Sequence, residues 1–131
     1  MDAEDISCAD ARCAVREVLA EGRRELAEGL RDDALLVVSE LTANALLHAG
    51  GVTGFSVRLL GDELHLRVSD GSREVPRRMT VPRGMPGGHG WMVVQRLCTR
   101  LHVEAEPEGK TIAAVLALRP SAPLPRVTVR W

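Results

Sequence analysis

Glu40 and Asn44 stand four residues apart in the run Ser39-Glu40-Leu41-Thr42-Ala43-Asn44-Ala45-Leu46-Leu47-His48-Ala49. On a helix that spacing puts both side chains on one side, one turn apart. A carboxylate and an amide oxygen stacked in this way suit a hard cation or the orientation of a water. A small cation such as Mg²⁺ takes few protein oxygens and completes its shell with phosphate oxygens and water. Taken alone, the same pair also fits a solvated helix face.

Two further groups of residues carry chemistry. Asp70 ends an apolar run and precedes Gly71. A carboxylate there can accept an exocyclic amine of a base, and Gly71 lets a ligand come close to the backbone. An Asp-Gly turn is the plain alternative. Gly87-Gly88-His89-Gly90 leads straight into an apolar-periodic run. Glycines admit phosphate oxygens to the main chain, and a helix N-terminus offers free N–H groups. No Gly-Lys-Ser/Thr follows, so this is not a Walker A loop. No strand leads into it, so it is not a dinucleotide fingerprint.

The elements that must position these groups follow from periodicity. Ser7-x-x-Asp10 reads as a capping box that opens a first helix. Cys13, Ala14, Val18 and Leu19 continue it, Leu26 and Leu30 recur after Gly22, and Gly22 bends or divides it. Ala34, Val37, Val38, Leu41 and Ala45 mark a second helix, capped by Asp32 or Asp33 and stopped by Gly50-Gly51. Phe55, Val57 and Leu59, then Leu64, Leu66 and Val68, alternate as two strands around Gly61-Asp62, a pair suited to a type II′ turn. A loop runs from Gly71 to Gly90 through Pro76, Pro82 and Pro86. A short helix from Gly90 to Thr99 uses Met92, Val93 and Leu97, and strands follow at Leu101 to Ala105 and Thr111 to Leu118. The expected fold is α+β, a two-layer sandwich with a mostly antiparallel sheet and helices on one face. One domain is expected over residues 1–118, with residues 119–131 as a proline-rich tail.

Composition narrows the classes. The 131 residues are 45% hydrophobic, with one Phe, no Tyr and two Trp, so the core is aliphatic. The net charge of −1 gives no general attraction to nucleic acid. Lys110 is the single lysine among 17 basic residues and is read as a turn residue rather than a phosphate contact. Cys8, Cys13 and Cys98 are odd in number and match no zinc spacing. No apolar run approaches the length of a membrane span. The cytoplasm is the expected location, with no direct nucleic-acid or membrane partner.

Taken in order, the three groups resemble the GHKL superfamily of ATPases and kinases, whose nucleotide site is the Bergerat fold. Ser39 to Ala49 is similar to its N box. Leu66-Arg67-Val68-Ser69-Asp70-Gly71-Ser72 through Pro76 is similar to its first glycine box, and Gly88-His89-Gly90-Trp91-Met92-Val93-Val94 to its second. Gly109-Lys110-Thr111 resembles the terminal contact to the base. Within the superfamily the chain looks most like the small anti-sigma-factor serine/threonine kinases of bacteria.

That resemblance implies ATP and Mg²⁺ as ligands. Asn44 would coordinate Mg²⁺, and Glu40 would be the general base. Asp70 would take the adenine amine, with Thr111 nearby through water and Gly71 and Ser72 at the base-side backbone. Gly88, His89 and Gly90 would line the phosphates beneath a lid. The partners implied are a sigma factor or an anti-anti-sigma protein, with a second copy of the chain as a homodimer. Two activities stay open: transfer of the γ-phosphate to a partner serine, and ATP-dependent sequestering of a regulator without turnover. The first glycine box departs from the family pattern, because Gly71 follows Asp70 directly and Ser72 stands at the usual glycine place. Trp91 replaces a smaller aliphatic residue and either stacks near the ligand or packs.

Overall fold

A computed structural model describes residues 6–22, 25–74, 90–119 and 126–131. Its elements run α1 (Cys8–Glu21), α2 (Leu30–His48), β1 (Val52–Leu60), β2 (Glu63–Asp70), α3 (Gly90–Leu97), β3 (Arg100–Glu106), β4 (Gly109–Ala117) and β5 (Arg126–Arg130).

Each helix end has a local cause. Ser7 caps α1: its hydroxyl accepts from the Asp10 N–H, and the Asp10 carboxylate accepts from the Ser7 N–H, both at 3.1 Å. These bonds, the backbone one first, hold the Asp10 carboxyl below its usual value. The helix stops at Gly22, which divides the run rather than bending it. The segment that follows returns along the sheet, where Ala27 N–H donates to the Leu118 carbonyl at 2.9 Å. Leu26 is therefore not helical, and Leu30 opens the next helix.

The start of α2 corrects the sequence reading. Gly29, in the left-handed region at φ 78°, is the cap residue, and no side chain caps the helix. Asp32 and Asp33 sit inside its first turn, where acidic groups favour the positive end of the helix dipole. At the other end Gly50 (φ 75°) and Gly51 (φ 131°) reverse the chain, and Gly51 N–H donates to the Ala45 carbonyl at 2.9 Å.

The sheet order is β1-β2-β4-β3-β5, antiparallel except for β3 and β5. Side chains alternate across a strand, so the register writes each face as rows. One row is Phe55, Val68, Ile112, Val103 and Val129; the next is Val57, Leu66, Ala114, Leu101 and Val127. This apolar face carries the helices. Ala11, Val15 and Leu19 of α1, Ala34, Val37, Val38, Leu41 and Ala45 of α2, and Trp91 and Val94 of α3 join it in a single core. The opposite face is polar, with Arg67, His65, Arg100 and His102. The α+β sandwich expected from the sequence is the observed fold.

Two local differences stand out. In α3 the buried positions are Trp91 and Val94, so Trp91 packs, and Met92 and Val93 are only half-buried. The stretch expected as a tail returns a fifth strand: Val127 pairs with Leu101, Val129 with Val103, and His102 Nδ1 lies 2.7 Å from the Thr128 hydroxyl. Among the described residues no helix covers β5, and Val127 and Val129 stay exposed.

Candidate nucleotide site

Helix α2 carries Glu40 and Asn44 on one side, both half-buried, while its core stripe (Val37, Val38, Leu41, Ala45) holds the helix against the sheet. Among the described residues neither Glu40 nor Asn44 makes a side-chain hydrogen bond or ion pair. What faces Glu40 is the first residue of α3. A Cβ added at Gly90 would fall on the Glu40 carboxylate, 1.9 Å from Oε2 and 2.7 Å from Cδ. Only a residue without a side chain lets α3 begin against that carboxylate. The fit joins two motifs that lie fifty residues apart in sequence.

Asp70 is reached from the C-terminal end of α2, beyond Asn44. The reversal at Gly50-Gly51 starts β1, and Val52 pairs directly with Asp70. Gly71 then passes the end of α2, its Cβ direction 3.8 Å from the Ala49 carbonyl oxygen. The Asp70 carboxylate is buried, 4% exposed, and its contacts are specific. Oδ1 accepts from the Ser72 N–H at 2.9 Å and from Lys110 Nζ at 2.9 Å. Oδ2 also lies 2.9 Å from Lys110 Nζ. The same ammonium donates to the Ser72 carbonyl at 3.1 Å. Gly109 lets the β3–β4 turn close on this point, because a Cβ there would lie 2.0 Å from the Asp70 carbonyl oxygen.

Thr111 is placed differently from the sequence expectation. Lys110 pairs with Asp70 and Thr111 with Ser69, so alternation sends Thr111 to the face opposite Asp70. Its hydroxyl lies 2.7 Å from Ser69 Oγ and donates to Glu106 Oε1. The side chain beside Asp70 is Lys110. Gly88 and His89 lie outside the described residues. A shallow groove lined by Leu26, Ala27, Gly29, Arg31 and Asp32 opens at the start of α2, at the far end of that helix from Asn44.

An acid and an amide on one helix, a glycine-opened helix against the acid, and a buried acceptor at the end of the neighbouring strand form one ordered set. The profile of the histidine kinase-like ATPase domain matches residues 1–116. The chain belongs to that family. A search of curated proteins returns no relative.

Membership in the GHKL-type ATPases implies ATP binding, with Mg²⁺ as its usual companion. The residues present fit those ligands on two structural grounds. The Gly90 contact leaves α3 starting directly over Glu40, where a side chain would fill the space. Asp70 is buried as an acceptor, with part of its capacity unused among the described residues. No helix among the described residues is long and apolar enough to cross a membrane.

In this ATPase domain the sequence reading named Gly109 and Lys110 in the terminal motif but took Lys110 as a turn residue, whereas its ammonium is paired with Asp70. The signal for Lys110 was available. It sits in step with Ile112, Ala114 and Leu116, the core-facing set of β4, and a lysine in step with a core face needs a buried partner.

Proposed function

We propose that this ATPase domain is a serine/threonine protein kinase that regulates a sigma factor by transferring the γ-phosphate of ATP to a serine of an anti-anti-sigma protein. The observation that carries the proposal is the Glu40 carboxylate lying against Gly90 at the start of α3, with Asn44 one turn along α2.

The roles follow from the groups. Bound ATP supplies the phosphoryl group, and Mg²⁺ its charge neutralisation. Asn44 offers the cation one amide oxygen, and water and phosphate complete its shell. Gly90 gives close backbone approach at a helix N-terminus, where N–H groups meet phosphate. Glu40, half-buried and free of a protein hydrogen bond among the described residues, can draw a proton from an incoming hydroxyl. Its place beside the start of α3 supports a base at the phosphate end of the site. Asp70 takes the base at the other end. Phosphoryl transfer depends mostly on such positioning and charge stabilisation.

A second reading is a module that binds ATP as a conformational ligand and sequesters its regulator without turnover. The Gly71-Ser72 departure favours it, since the Ser72 N–H is tied to Asp70 Oδ1 at 2.9 Å.

The test is transfer of labelled phosphate from ATP to the partner by the native chain and by Glu40→Ala, together with calorimetric ATP titration. Loss of transfer in the variant with ATP binding retained supports the kinase. Absence of transfer by a native chain that binds both ATP and partner overturns it in favour of the sequestering module. Asn44→Ala is expected to weaken binding in the presence of Mg²⁺ and to change it little without the cation.

A further inference from the structure

We propose that β5 is a docking edge, to which a partner protein adds an extended segment with apolar residues on the helix side and acidic residues on the polar face of the sheet. The proposal stands apart from the nucleotide reading, because β5 lies three places along the sheet from β2, which carries Asp70.

The sheet has two edges, β1 and β5, and they are finished differently. A free edge offers a row of unpaired N–H and C=O groups to another strand, and proteins blunt it with bulges, cover or charge. β1 is blunted twice. Its register shifts between Val52 and Gly54, and α1 packs against it, with Phe55, Val57 and Leu59 joining the core. β5 has neither device. Its register with β3 runs without a shift from Arg126 to Arg130. Among the described residues no strand pairs with its outer side and no helix covers it.

The apolar face of the sheet thus runs one strand past its helices. Leu101 and Val103 on β3 are 2% and 0% exposed, whereas Val127 and Val129 beside them are 40% and 45% exposed. Trp131, the next residue of that parity, is 64% exposed. A strand added beyond β5 extends these rows and gives the valines cross-strand neighbours. On its inner side β5 is already fixed by its ladder with β3 and by His102, whose Nδ1 lies 2.7 Å from the Thr128 hydroxyl. An edge fixed in advance loses little freedom on binding.

Charge selects the occupant. Residues 126, 128 and 130 alternate with the valines and belong to the polar face. Arg130 shares a row with Glu104, but the Glu104 carboxylate lies 3.6 Å from His102 Nε2, and Arg130 makes no ion pair among the described residues. The strand reads Arg-Val-Thr-Val-Arg in both directions. A second copy paired antiparallel about Thr128 would join the valines but set residue 126 against residue 130, arginine facing arginine. Like charges directly opposite destabilise a strand pair. A segment that reads acid, apolar, polar, apolar, acid meets the same valines and makes both charge contacts attractive. Strand addition of this kind takes its affinity from main-chain hydrogen bonds and its choice of partner from alternate side chains.

The probe is a fluorescent, end-capped peptide Ser-Glu-Val-Thr-Val-Glu-Ser, titrated by anisotropy beside a counterpart with arginine in place of both glutamates. The native chain is expected to prefer the acidic peptide by roughly fivefold or more, the range of two opposite-charge cross-strand pairs. Arg130→Glu is expected to narrow that ratio, and Arg126→Glu added to it to reverse the preference. Two further acidic peptides carry N-methyl groups on alternate residues. Alternate amides of an added strand face β5 and solvent in turn, so one of these peptides is expected to lose binding and the other to keep it. Failure of the acidic peptide to bind, equal affinity for the two charge patterns, or equal effects of the two N-methylations overturns the proposal. A native dimer in light scattering that Val127→Lys dissolves overturns it in favour of a second copy.

Discussion

The two ends of the site are built by different physics. At the Asp70 end the chain is closed by polar bonds: a buried ion pair, the Ser72 N–H and carbonyl, and a glycine turn pressed on the Asp70 backbone. At the Glu40 end it is closed by shape, with Gly90 lying on a carboxylate that has no polar partner among the described residues. A preformed polar end suits a rigid planar ligand whose donors never change. An end whose carboxylate has no polar partner among the described residues keeps its acceptor positions for a group whose charge moves during a reaction. The division between rigidity and chemistry thus runs from the middle of α2 to the chain reversal beyond its C-terminus.

Breaking the polar end should give the largest effect on stability. Removing one partner of a buried pair leaves a charge without compensation and costs about 3–5 kcal/mol. Asp70→Ala and Lys110→Ala are each expected in that range by urea unfolding. Asp70→Leu combined with Lys110→Met is expected to lose far less, since both charges leave together. A double-variant loss equal to the sum of the two single losses would show that the pair is not coupled, and the contrast between the two ends would fail.

A smaller effect separates the ends more sharply. Gly109→Ala and Gly90→Ala both add one methyl into occupied space, at 2.0 Å and 1.9 Å from the nearest atom. At Gly109 that atom is the backbone carbonyl of Asp70, which cannot step aside, so a loss of about 3 kcal/mol is expected from overpacking. At Gly90 it is the tip of Glu40, a flexible side chain that can rotate away. Gly90→Ala is expected to stay within about 1 kcal/mol of the native stability while losing phosphotransfer, because the base has been turned out. A Gly90→Ala protein that keeps full transfer would remove Glu40 from the reaction.

Much of this was legible in the sequence, for reasons that also mark the limit. Capping by Ser7, the apolar stripe of α2, the hairpin at Gly61-Asp62 and the strand end at Asp70 are local signals, and each is found where its pattern puts it. What failed depended on partners distant in the chain. The start of α2 was misread because a left-handed glycine caps without a side chain, whereas Asp32 and Asp33 advertised themselves. β5 was hidden by neighbouring prolines, although Val127-Thr128-Val129 is a β-branched run. Thr111 and Lys110 could not be sorted by motif spacing, because strand parity decides the face. A one-residue offset moves a side chain to the other face of the sheet, and the pairing of Asp70 with Lys110 puts those two side chains on one face and Thr111 on the other.

The smallest prediction concerns how the shape-closed end opens. Cys98 follows α3 directly, is 1% exposed, and has its thiol pushed up to about 12 by burial. Cys13 is exposed on α1 and serves as the internal reference. Burial disfavours the thiolate, the form that reacts. An end held by shape alone should open locally and expose the thiol. Alkylation of Cys98 followed by mass spectrometry is thus expected to be far slower than that of Cys13 and to slow further with ATP and Mg²⁺, because ligand binding favours the closed state. A Cys98 rate that ignores nucleotide would show α3 as firmly seated as the ion pair, and rigidity would then belong to both ends of the site.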